Sequence, residues 1–459
     1  MEQTHPISPP STDNALKAEG LTARVFNSGF REAHDTYNAL SIASDGNVYY
    51  VLCSTSIDFG GRVFRYDPRT DKITFVGDLT EFCGEKGLKT VPQGKSHVLF
   101  YEYEGKLYFS THAGYYNTAG GMERMATEVP PGYKVYPGGH LLTYDLKSGA
   151  HEDLGIAPER EAVLAMSMDT QRGVIYGISW PIGYFFRYDV ATKKMTNLGP
   201  TASQGESGEG STYRVLCRSI AIDPESGCAY FTNPEGDIFC YRPNAERVEK
   251  VEGEDMRKDY FGKYEPTDSG SMGYNWRQLV WHPDEKVFYG VHGNSGYLFR
   301  FDPKATRIEV LDRITSEPSQ RSGMGDQFSY GYLGFTLGPD GRTLYYLTGG
   351  PIYENGKRVK GREKVATGMA KGIENLHLVT YDIPTQGYKD HGPVFYPDGQ
   401  RPLYVNSIAV AADGTVYTLA RVTENGHMRT DLVQIKTGAQ GTDMRRDALR
   451  AQRRRWKRF

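Results

Sequence analysis

The chain contains ALSIASDGNVYYVLCS at positions 39–54, followed by GRVFRYDPRTDKITFVGDL at positions 61–79. Each half holds two runs that are rich in Val, Ile, Tyr and Phe, and the pair Asp45-Gly46 separates the first two runs. Aromatic and β-branched residues favour strands, and an Asp-Gly pair favours a tight hairpin turn. This stretch therefore predicts four antiparallel strands in succession.

The same four-strand unit returns along the whole chain. Seven copies can be aligned, at residues 39–79, 97–155, 164–199, 217–252, 277–312, 333–392 and 406–436. The third strand ends in the same kind of pair in five copies: Tyr66-Asp67, Tyr144-Asp145, Tyr188-Asp189, Phe301-Asp302 and Tyr381-Asp382. Four-stranded units at this spacing are typical of propeller blades. The sequence predicts an all-β, seven-bladed β-propeller of four-stranded antiparallel blades, in preference to an irregular β-sandwich.

The two ends of the chain complete this prediction. The seventh copy lacks an outermost strand after TDLVQIK, and LTARVFNSG at residues 21–29 is expected to supply it and close the ring. We expect the propeller to span residues 21–437. Residues 1–20 are polar and Pro-rich, which predicts a disordered segment. Residues 438–459 form a basic C-terminal tail, for which a solvated role is favoured over nucleic-acid or membrane binding.

Composition limits the partners and the location. The 53 Gly and the 12% aromatic residues suit many turns and strands, and a net charge of −2 gives no reason to expect a nucleic-acid partner. No apolar run reaches the roughly 18 residues of a membrane span. No signal-peptide pattern is visible, so we expect a cytoplasmic protein, or a secreted or periplasmic one if the chain is a processed form. The five cysteines show no C-x-x-C pair, and Cys217, Cys228 and Cys240 are interpreted as core residues.

Polar residues converge where first strands begin and second strands end, because both points lie at one mouth of the central channel. In the second copy the turn is centred on Glu104-Gly105, so His97 should face His112 across the hairpin. A bulge would shift such partners. The same count brings together Arg218 with Asn233, Arg277 with His292, and Asn406 with Ala420 or Arg421.

Four long insertions should wall this mouth and form a pocket. They are residues 113–138, 200–213, 253–275 and 351–374. Tyrosines in or near these loops are candidates for sugar stacking or proton transfer: Tyr115, Tyr116, Tyr184, Tyr213, Tyr260, Tyr264 and Tyr274.

Imidazole, guanidinium and phenol groups together suit proton chemistry on an anionic sugar. Removing a proton α to a carboxylate builds up negative charge, which a bidentate arginine offsets. A neutral histidine can accept that proton, and a tyrosine can protonate the leaving glycosidic oxygen. These residue types favour β-elimination of a glycan that contains uronic acid.

The segment SHVLFYEYEGKLYFSTHAGYY at residues 96–116 resembles the propeller-fold polysaccharide lyases, which include ulvan lyases and rhamnosyl-glucuronate lyases. The resemblance implies an acidic oligosaccharide or polysaccharide substrate. It implies a catalytic set of His97, His112, Arg218 and a tyrosine that is either Tyr184 or Tyr115. Side chains expected to bind substrate around this set are Arg277, His292, Asn233, Trp180, Tyr116 and Asn406.

Three alternatives stay open. No cofactor is certain, but a divalent metal ion could be held by His97, His112 and either His292 or His140, since imidazole suits such ions. A metal-dependent or histidine-based glycoside hydrolase is a second reading, and the usual two convergent carboxylates are not evident. Its nearest loop candidates are Glu123, Asp237 and Asp326. A non-catalytic propeller that binds glycans or proteins is the third. The sequence specifies no oligomeric state.

Overall fold

The computed structural model describes residues 20–34, 37–119, 122–268, 271–321, 334–354, 357–358, 374–424 and 426–437. Strands are the main regular secondary structure of this part of the chain. The short helical segments are α1 (Leu79–Phe82), α2 (Glu317–Arg321) and four 3-10 turns at Pro158–Arg160, Gly205–Ser207, Gly210–Thr212 and Asp259–Phe261. None of the helices in the described ranges has the length and apolar character that a bilayer crossing requires.

The chain begins with strand β1 (Leu21–Val25) and then builds blades 1 to 3, each a four-stranded antiparallel sheet. Blade 1 contains β2 (Leu40–Ile42), β3 (Val48–Leu52), β4 (Arg62–Asp67) and β5 (Lys72–Asp78). Blade 2 contains β6 (Tyr101–Tyr103), β7 (Lys106–Ser110), an inserted hairpin of β8 (Tyr116–Ala119) and β9 (Met122–Met125), then β10 (His140–Asp145) and β11 (His151–Ile156). Blade 3 contains β12 (Ala162–Asp169), β13 (Val174–Trp180), β14 (Tyr184–Asp189) and β15 (Lys194–Pro200).

Blades 4 to 7 repeat this order. Blade 4 contains β16 (Ala221–Ile222), β17 (Ala229–Thr232), β18 (Asp237–Arg242) and β19 (Arg247–Asp255). Blade 5 contains β20 (Trp276–His282), β21 (Val287–His292), β22 (Tyr297–Asp302) and β23 (Arg307–Arg313). Blade 6 contains β24 (Gly334–Leu337), β25 (Thr343–Pro351), a hairpin of β26 (Tyr353–Glu354) and β27 (Lys357–Arg358), then β28 (Glu374–Asp382) and β29 (Gly387–Phe395). Blade 7 contains β30 (Ala409–Val410), β31 (Val416–Glu424) and β32 (His427–Ile435).

The N-terminal strand closes the ring, as the sequence predicts. Ala23 of β1 pairs antiparallel with Ile435 of β32, which makes β1 the outermost strand of blade 7. Leu21 also pairs in parallel with Val394 of β29, so β1 links blade 7 to blade 6. The chain is a seven-bladed β-propeller, and the alternative of an irregular sandwich is wrong.

The core lies between neighbouring blades, which explains the repeated Tyr-Asp signature. Every residue of β3 is buried, whereas most residues of the outermost strand β5 are exposed or partly exposed. Tyr66 of the signature in blade 1 lies 6.0 Å, ring to ring, from Tyr417 of blade 7. The signature ring Phe301 of blade 5 lies 5.1 Å from Tyr230 of blade 4. Each third strand therefore supplies an aromatic side chain to the adjacent blade. The five cysteines are buried and unoxidised, as expected for core residues.

One side chain joins three blades across the central channel. The amide of Gln278 in β20 donates to Asn38 Oδ1, just before β2, over 2.8 Å. The carbonyl oxygen of the same amide accepts from the backbone N–H of Phe335 in β24 over 2.9 Å. Blades 1 and 5 lie on opposite sides of a seven-blade ring, so this amide restricts the channel near the mouth where the innermost strands begin.

Candidate functional site

Two histidine rings of blade 2 lie face to face at the channel mouth. His97 precedes β6 and His112 follows β7; their ring centroids are 4.0 Å apart and their planes differ by 2°. His112 is 2% exposed, and His97 is partly exposed. The predicted meeting of these two histidines is confirmed.

The predicted direct cross-strand pairing of the two residues is wrong. Near the turn the expected register holds, and Tyr101 faces Tyr108. Further along the hairpin Lys95 faces His112, and two backbone hydrogen bonds of 2.7 and 3.1 Å join them. Between these two pairs, the first strand of the hairpin contains two more residues than the second. The backbone partner of His112 is therefore Lys95, while the His97 ring reaches it from an irregular segment.

The histidine pair is the centre of a longer aromatic stack. Tyr37, which precedes the first strand of blade 1, stacks on His97 with centroids 3.6 Å apart and planes at 14°. On the other side Trp180 of blade 3 lies 5.1 Å from His112 at 40°. The stack runs across three blades, so the imidazoles are held in position by rings from their neighbours.

Both imidazoles are neutral in this environment. Burial, followed by the positive charges of Lys95 and Arg218, lowers the pKa of His112 to about 3. Burial lowers the pKa of His97 well below its usual value, and the neighbouring charges of His112, Lys95, Arg218 and Arg277 act in the same direction. Within the described part of the chain, Nε2 of His97 and Nε2 of His112 are buried without a hydrogen-bond partner.

Tyr116 and the Ala113 backbone oxygen, which lies 3.3 Å from His112 Nδ1, together fix the tautomer of His112. The Tyr116 hydroxyl donates to the backbone oxygen of Ala113, and His112 Nδ1 lies 2.9 Å from the same hydroxyl oxygen. Since the phenol proton is engaged by Ala113, the Nδ1–H of His112 donates to the phenol oxygen. The lone pair of His112 is therefore on Nε2, the atom that has no partner.

A buried lysine supports this arrangement. Lys95 is 0% exposed, and its ammonium nitrogen lies 4.4 Å from the ring centroid of Tyr116 and 3.4 Å from the hydroxyl of Tyr37. The sequence analysis does not select Lys95 or Tyr37. The signal for Lys95 is its place two residues before His97 in KSH, because alternate residues of an extended segment share a face.

Arg218 reaches the site but already binds a carboxylate. Its guanidinium lies 2.7 Å from Glu206 Oε1, and both side chains are largely buried. The same carboxylate accepts from Trp180 Nε1 over 2.9 Å and from the backbone N–H of Leu216 over 3.1 Å. Glu206 belongs to the insertion at residues 200–213 and is the third residue of the site that the sequence analysis does not select.

Arg277 and His292 diverge in blade 5 because of a bulge. The ladder pairs His292 with Trp276, and the register shifts at Arg277. The His292 ring stacks on Phe261 of the 253–275 insertion, with centroids 4.3 Å apart, and burial lowers its pKa to about 3. The guanidinium of Arg277 donates to the Met272 sulfur over 3.2 Å, and its positive charge helps to lower the pKa of His97, whereas His292 packs under a loop.

The structure places the remaining predicted residues as follows. Tyr115 packs in the hydrophobic cluster that contains Trp180, close to the pair. Tyr184 begins the third strand of blade 3 and pairs with Pro200 of the outermost strand, away from the channel. Asn233 Oδ1 accepts from the N–H of Asp237 and holds the turn between β17 and β18. Asn406 is buried just before β30.

His140 does not join the histidine pair. Its Nδ1 lies 2.9 Å from Asp153 and its Nε2 lies 2.9 Å from Glu85, so both ring nitrogens are occupied. Burial opposes its protonation, but hydrogen bonds to Asp153, Cys83 and Glu85 outweigh burial and raise the pKa of His140 to about 11. This side chain is an internal imidazolium of blade 2 rather than a metal ligand.

The mouth suits an anion better than a metal ion. The described residues contain no group of three or more His, Cys, Asp or Glu that could hold a metal. The positive charges of Lys95, Arg218 and Arg277, which add to burial in lowering the pKa of His97, would also repel a divalent cation. Of the carboxylates considered for hydrolysis, Glu123 is exposed, Asp237 is taken by Lys250 and Arg257, and Asp326 lies outside the described residues.

Fold and site together define a seven-bladed β-propeller with a cationic, imidazole-containing channel mouth. No protein-family model matches the chain, and no curated protein matches it in sequence.

Solved structures resemble it at low identity. Virginiamycin B lyase from Staphylococcus aureus is 9% identical over 90% of this chain and 98% of that one, with a TM-score of 0.48. The Cps50 (Swd1) β-propeller domain of Myceliophteria thermophila is 9% identical over 88% and 98%, with a TM-score of 0.49. A chain of the mitotic checkpoint complex is 12% identical over 95% and 97%, with a TM-score of 0.47. At such values the fold assignment rests on this chain's own sheet order.

Proposed function

We propose that the channel mouth is the active site of a lyase that cleaves uronic-acid-containing oligosaccharides or polysaccharides by β-elimination. One observation carries the proposal: two imidazoles that burial keeps from being protonated lie beside cationic side chains, and their buried Nε2 atoms have no hydrogen-bond partner among the described residues. A neutral imidazole is the form that accepts a proton, and the cations favour a carboxylate-bearing substrate.

The residues divide the reaction among them. His112 Nε2 takes the proton from the carbon next to the carboxylate. The electron pair of that C–H bond forms a carbon–carbon double bond, and the bond to the glycosidic oxygen breaks. We assign the carboxylate to Arg277, whose charge acts on His97 and whose guanidinium also donates to the Met272 sulfur over 3.2 Å.

The leaving oxygen needs a proton, and Tyr37 supplies it. The Tyr37 ring is partly exposed, stacks on His97, and its hydroxyl lies 3.4 Å from the ammonium nitrogen of Lys95. The Lys95 ammonium donates to this hydroxyl oxygen, so a phenolate formed there would face a positive charge. Tyr116 is less suited, because its hydroxyl is engaged by Ala113 and His112.

The proposal is tested by following absorbance at about 235 nm, where the unsaturated product absorbs. Oligosaccharides that contain glucuronate or galacturonate are incubated with the wild-type chain and with His112→Ala. We expect turnover by the wild type and a loss of about 10²-fold or more in the variant. His151→Ala, at an exposed histidine of blade 2, is the matched control and should keep full activity. Absence of absorbance with every such substrate contradicts the proposal.

A non-catalytic propeller that binds acidic glycans is the second candidate. The observation in its favour is the pKa of His112 at about 3, which makes its imidazole a weak base. This candidate predicts that the same oligosaccharides bind, measured by calorimetry, without any rise in absorbance. The lyase predicts both binding and turnover.

A further inference from the structure

We propose that Gln93 and Gly94 are positioning residues, which fix the register of the segment before β6 so that Lys95, and not His97, pairs with the backbone of His112. Their effect on turnover rests on the lyase function proposed above, whereas their effect on the register does not.

The observed register has a competitor two residues away. Counting from the turn would place His97 opposite His112, whereas Lys95 holds that position. We call the counted arrangement the regular register. A slip of two residues keeps every side chain on its own face, so the alternation of the strand does not choose between the two registers. Backbone hydrogen bonds do not choose either, because almost every residue offers the same donor and acceptor. The choice therefore depends on contacts of particular side chains.

The amide of Gln93 makes contacts that belong to the observed register. The side chain is 0% exposed. Its Nε2 donates to the backbone oxygen of Gly138 over 2.8 Å and to the Glu85 carboxylate over 3.1 Å. Its Oε1 accepts from the hydroxyls of Thr111 over 2.7 Å and Tyr136 over 2.6 Å. In the regular register this amide would move by about 6.6 Å along the strand, which would leave these buried groups without it.

Thr111 connects this amide to the strand that carries His112. It directly precedes His112, and its hydroxyl oxygen also accepts from the backbone N–H of His140 in β10 over 2.8 Å. The segment before His97 is therefore tied by Gln93 to two strands of blade 2.

Gly94 contributes by having no side chain. A Cβ atom at this position would lie 2.3 Å from the Cα of Gly114 and 2.6 Å from the backbone oxygen of Ser54. The two backbones thus cross at a distance that glycine permits. In the regular register Ser96 would occupy this place, and its Cβ would collide with the same backbone atoms. Gly94 therefore disfavours the regular register on steric grounds, independently of Gln93.

The register decides how the two imidazoles meet. Because Lys95 takes the ladder position, His97 leaves the ladder, and its ring stacks on His112 with the planes differing by 2°. In the regular register the two residues would instead face each other as direct cross-strand neighbours.

Cross-strand nuclear Overhauser effects (NOEs) in the full chain test the register without any substrate. The wild type should show NOEs between Lys95 and His112, and between Tyr101 and Tyr108. Gln93→Met keeps the length of the side chain and removes its hydrogen bonds, so we expect it to abolish the NOEs between Lys95 and His112. The NOEs between Tyr101 and Tyr108 should persist, because their register follows from the turn.

Gly94→Ala tests the second residue and should abolish the same NOEs, because the added Cβ meets the Gly114 backbone. The matched control is Gln434→Met, at a buried glutamine of β32 whose amide donates to the Tyr417 hydroxyl over 3.0 Å. It removes a buried amide from blade 7 and should leave every NOE of blade 2 unchanged.

A third substitution keeps the test decisive if neither variant folds. Thr111→Val retains the shape of the side chain but removes the hydroxyl that donates to Gln93, and should weaken the same NOEs. Thr111→Ser keeps a hydroxyl and should restore them.

The outcomes are distinct from those of the lyase assay. Unchanged NOEs between Lys95 and His112 in folded Gln93→Met or Gly94→Ala overturn the role of that residue, even if the wild type cleaves uronates. Lost NOEs support it even if no uronate is cleaved. Where the wild type does turn over, both variants should lose about 10-fold or more in kcat while KM stays within about twofold, because a displaced catalytic group costs rate more than binding.

Discussion

The ion pair of Arg218 with Glu206 holds the 200–213 insertion against the channel mouth. Both side chains are largely buried, and the carboxylate also binds Trp180. Breaking a buried pair leaves an uncompensated charge, so Glu206→Gln should lower the free energy of unfolding by about 3 kcal/mol. Urea denaturation measures it. Glu209→Gln, at an exposed glutamate of the same insertion, should change stability by less than about 0.5 kcal/mol. Equal stability of both variants would show that the pair contributes nothing.

The imidazolium of His140 makes stability depend on pH on the alkaline side. The folded chain holds this proton up to a pKa of about 11, whereas an unperturbed histidine has a pKa of 6.5. A raised pKa contributes stability that is complete below the unfolded value and is lost as pH rises towards the folded value. The free energy of unfolding should therefore fall between about pH 6.5 and 11, and less steeply in His140→Gln. Parallel slopes for wild type and His140→Gln, with exposed His427→Gln as control, would refute this.

Part of the candidate site can be predicted from the sequence alone. The two histidines could be predicted to meet, because the repeat fixes their level in blade 2 and a hairpin brings those levels together. The place of Lys95 two residues before His97 is only a weak signal, since a lysine near a strand end is normally solvated. Glu206 could not be selected either, because it lies in the 200–213 insertion and only the folded chain brings it against Arg218. The roles of Arg218 and His140 likewise depend on partners that only the folded chain brings together.

At the level of the strands, β1 is the element on which ring closure depends. It pairs with β32 on one side and with β29 on the other. Ala23 is fully buried, and Leu21 and Val25 are partly buried in the cluster between blades 6 and 7. Removal of residues 1–25 should therefore lower the free energy of unfolding by about 3 kcal/mol or more. Thermal and urea unfolding of purified truncations measure this.

The matched truncation is removal of residues 1–19, which leaves β1 intact. We expect it to change stability by less than about 0.5 kcal/mol. If both truncations are equally stable, β1 is dispensable and another feature closes the ring. The requirement for β1 could be foreseen, because a blade that lacks its outermost strand leaves an unpaired edge.

Bulges are the features of these elements that the repeat pattern does not predict. Counting from the turn gives the correct register for Tyr101 with Tyr108, and fails at Lys95 and at Arg277, where the first strand gains residues. A period-2 pattern counts residues and cannot detect an inserted one in a segment without alternation. The number of blades was therefore predictable, whereas the side-chain partners at the strand ends were not.

Over the whole molecule, Gln278 ties opposite sides of the ring together. Its amide joins Asn38 of blade 1 to the backbone of Phe335 in blade 6, while its own strand belongs to blade 5. Gln278→Leu leaves the N–H of Phe335 and the oxygen of Asn38 without this partner. The cost should be about 1–3 kcal/mol in the free energy of unfolding. Gln171→Leu, at an exposed glutamine in a turn of blade 3, should cost less than about 0.5 kcal/mol.

The Gln278 amide also connects the propeller ring to the histidine pair at the channel mouth. Asn38 follows Tyr37, which stacks on His97, and Gln278 follows Arg277, which acts on the charge of the same imidazole. Loosening the bridge should therefore disturb the site as well as the ring. We expect Gln278→Leu to change the His97 ring signals in NMR spectra, while the imidazolium of His140, which is paired with Glu85 and Asp153, keeps its signals. A variant that lowers stability and leaves the His97 signals unchanged would show that ring and site are independent.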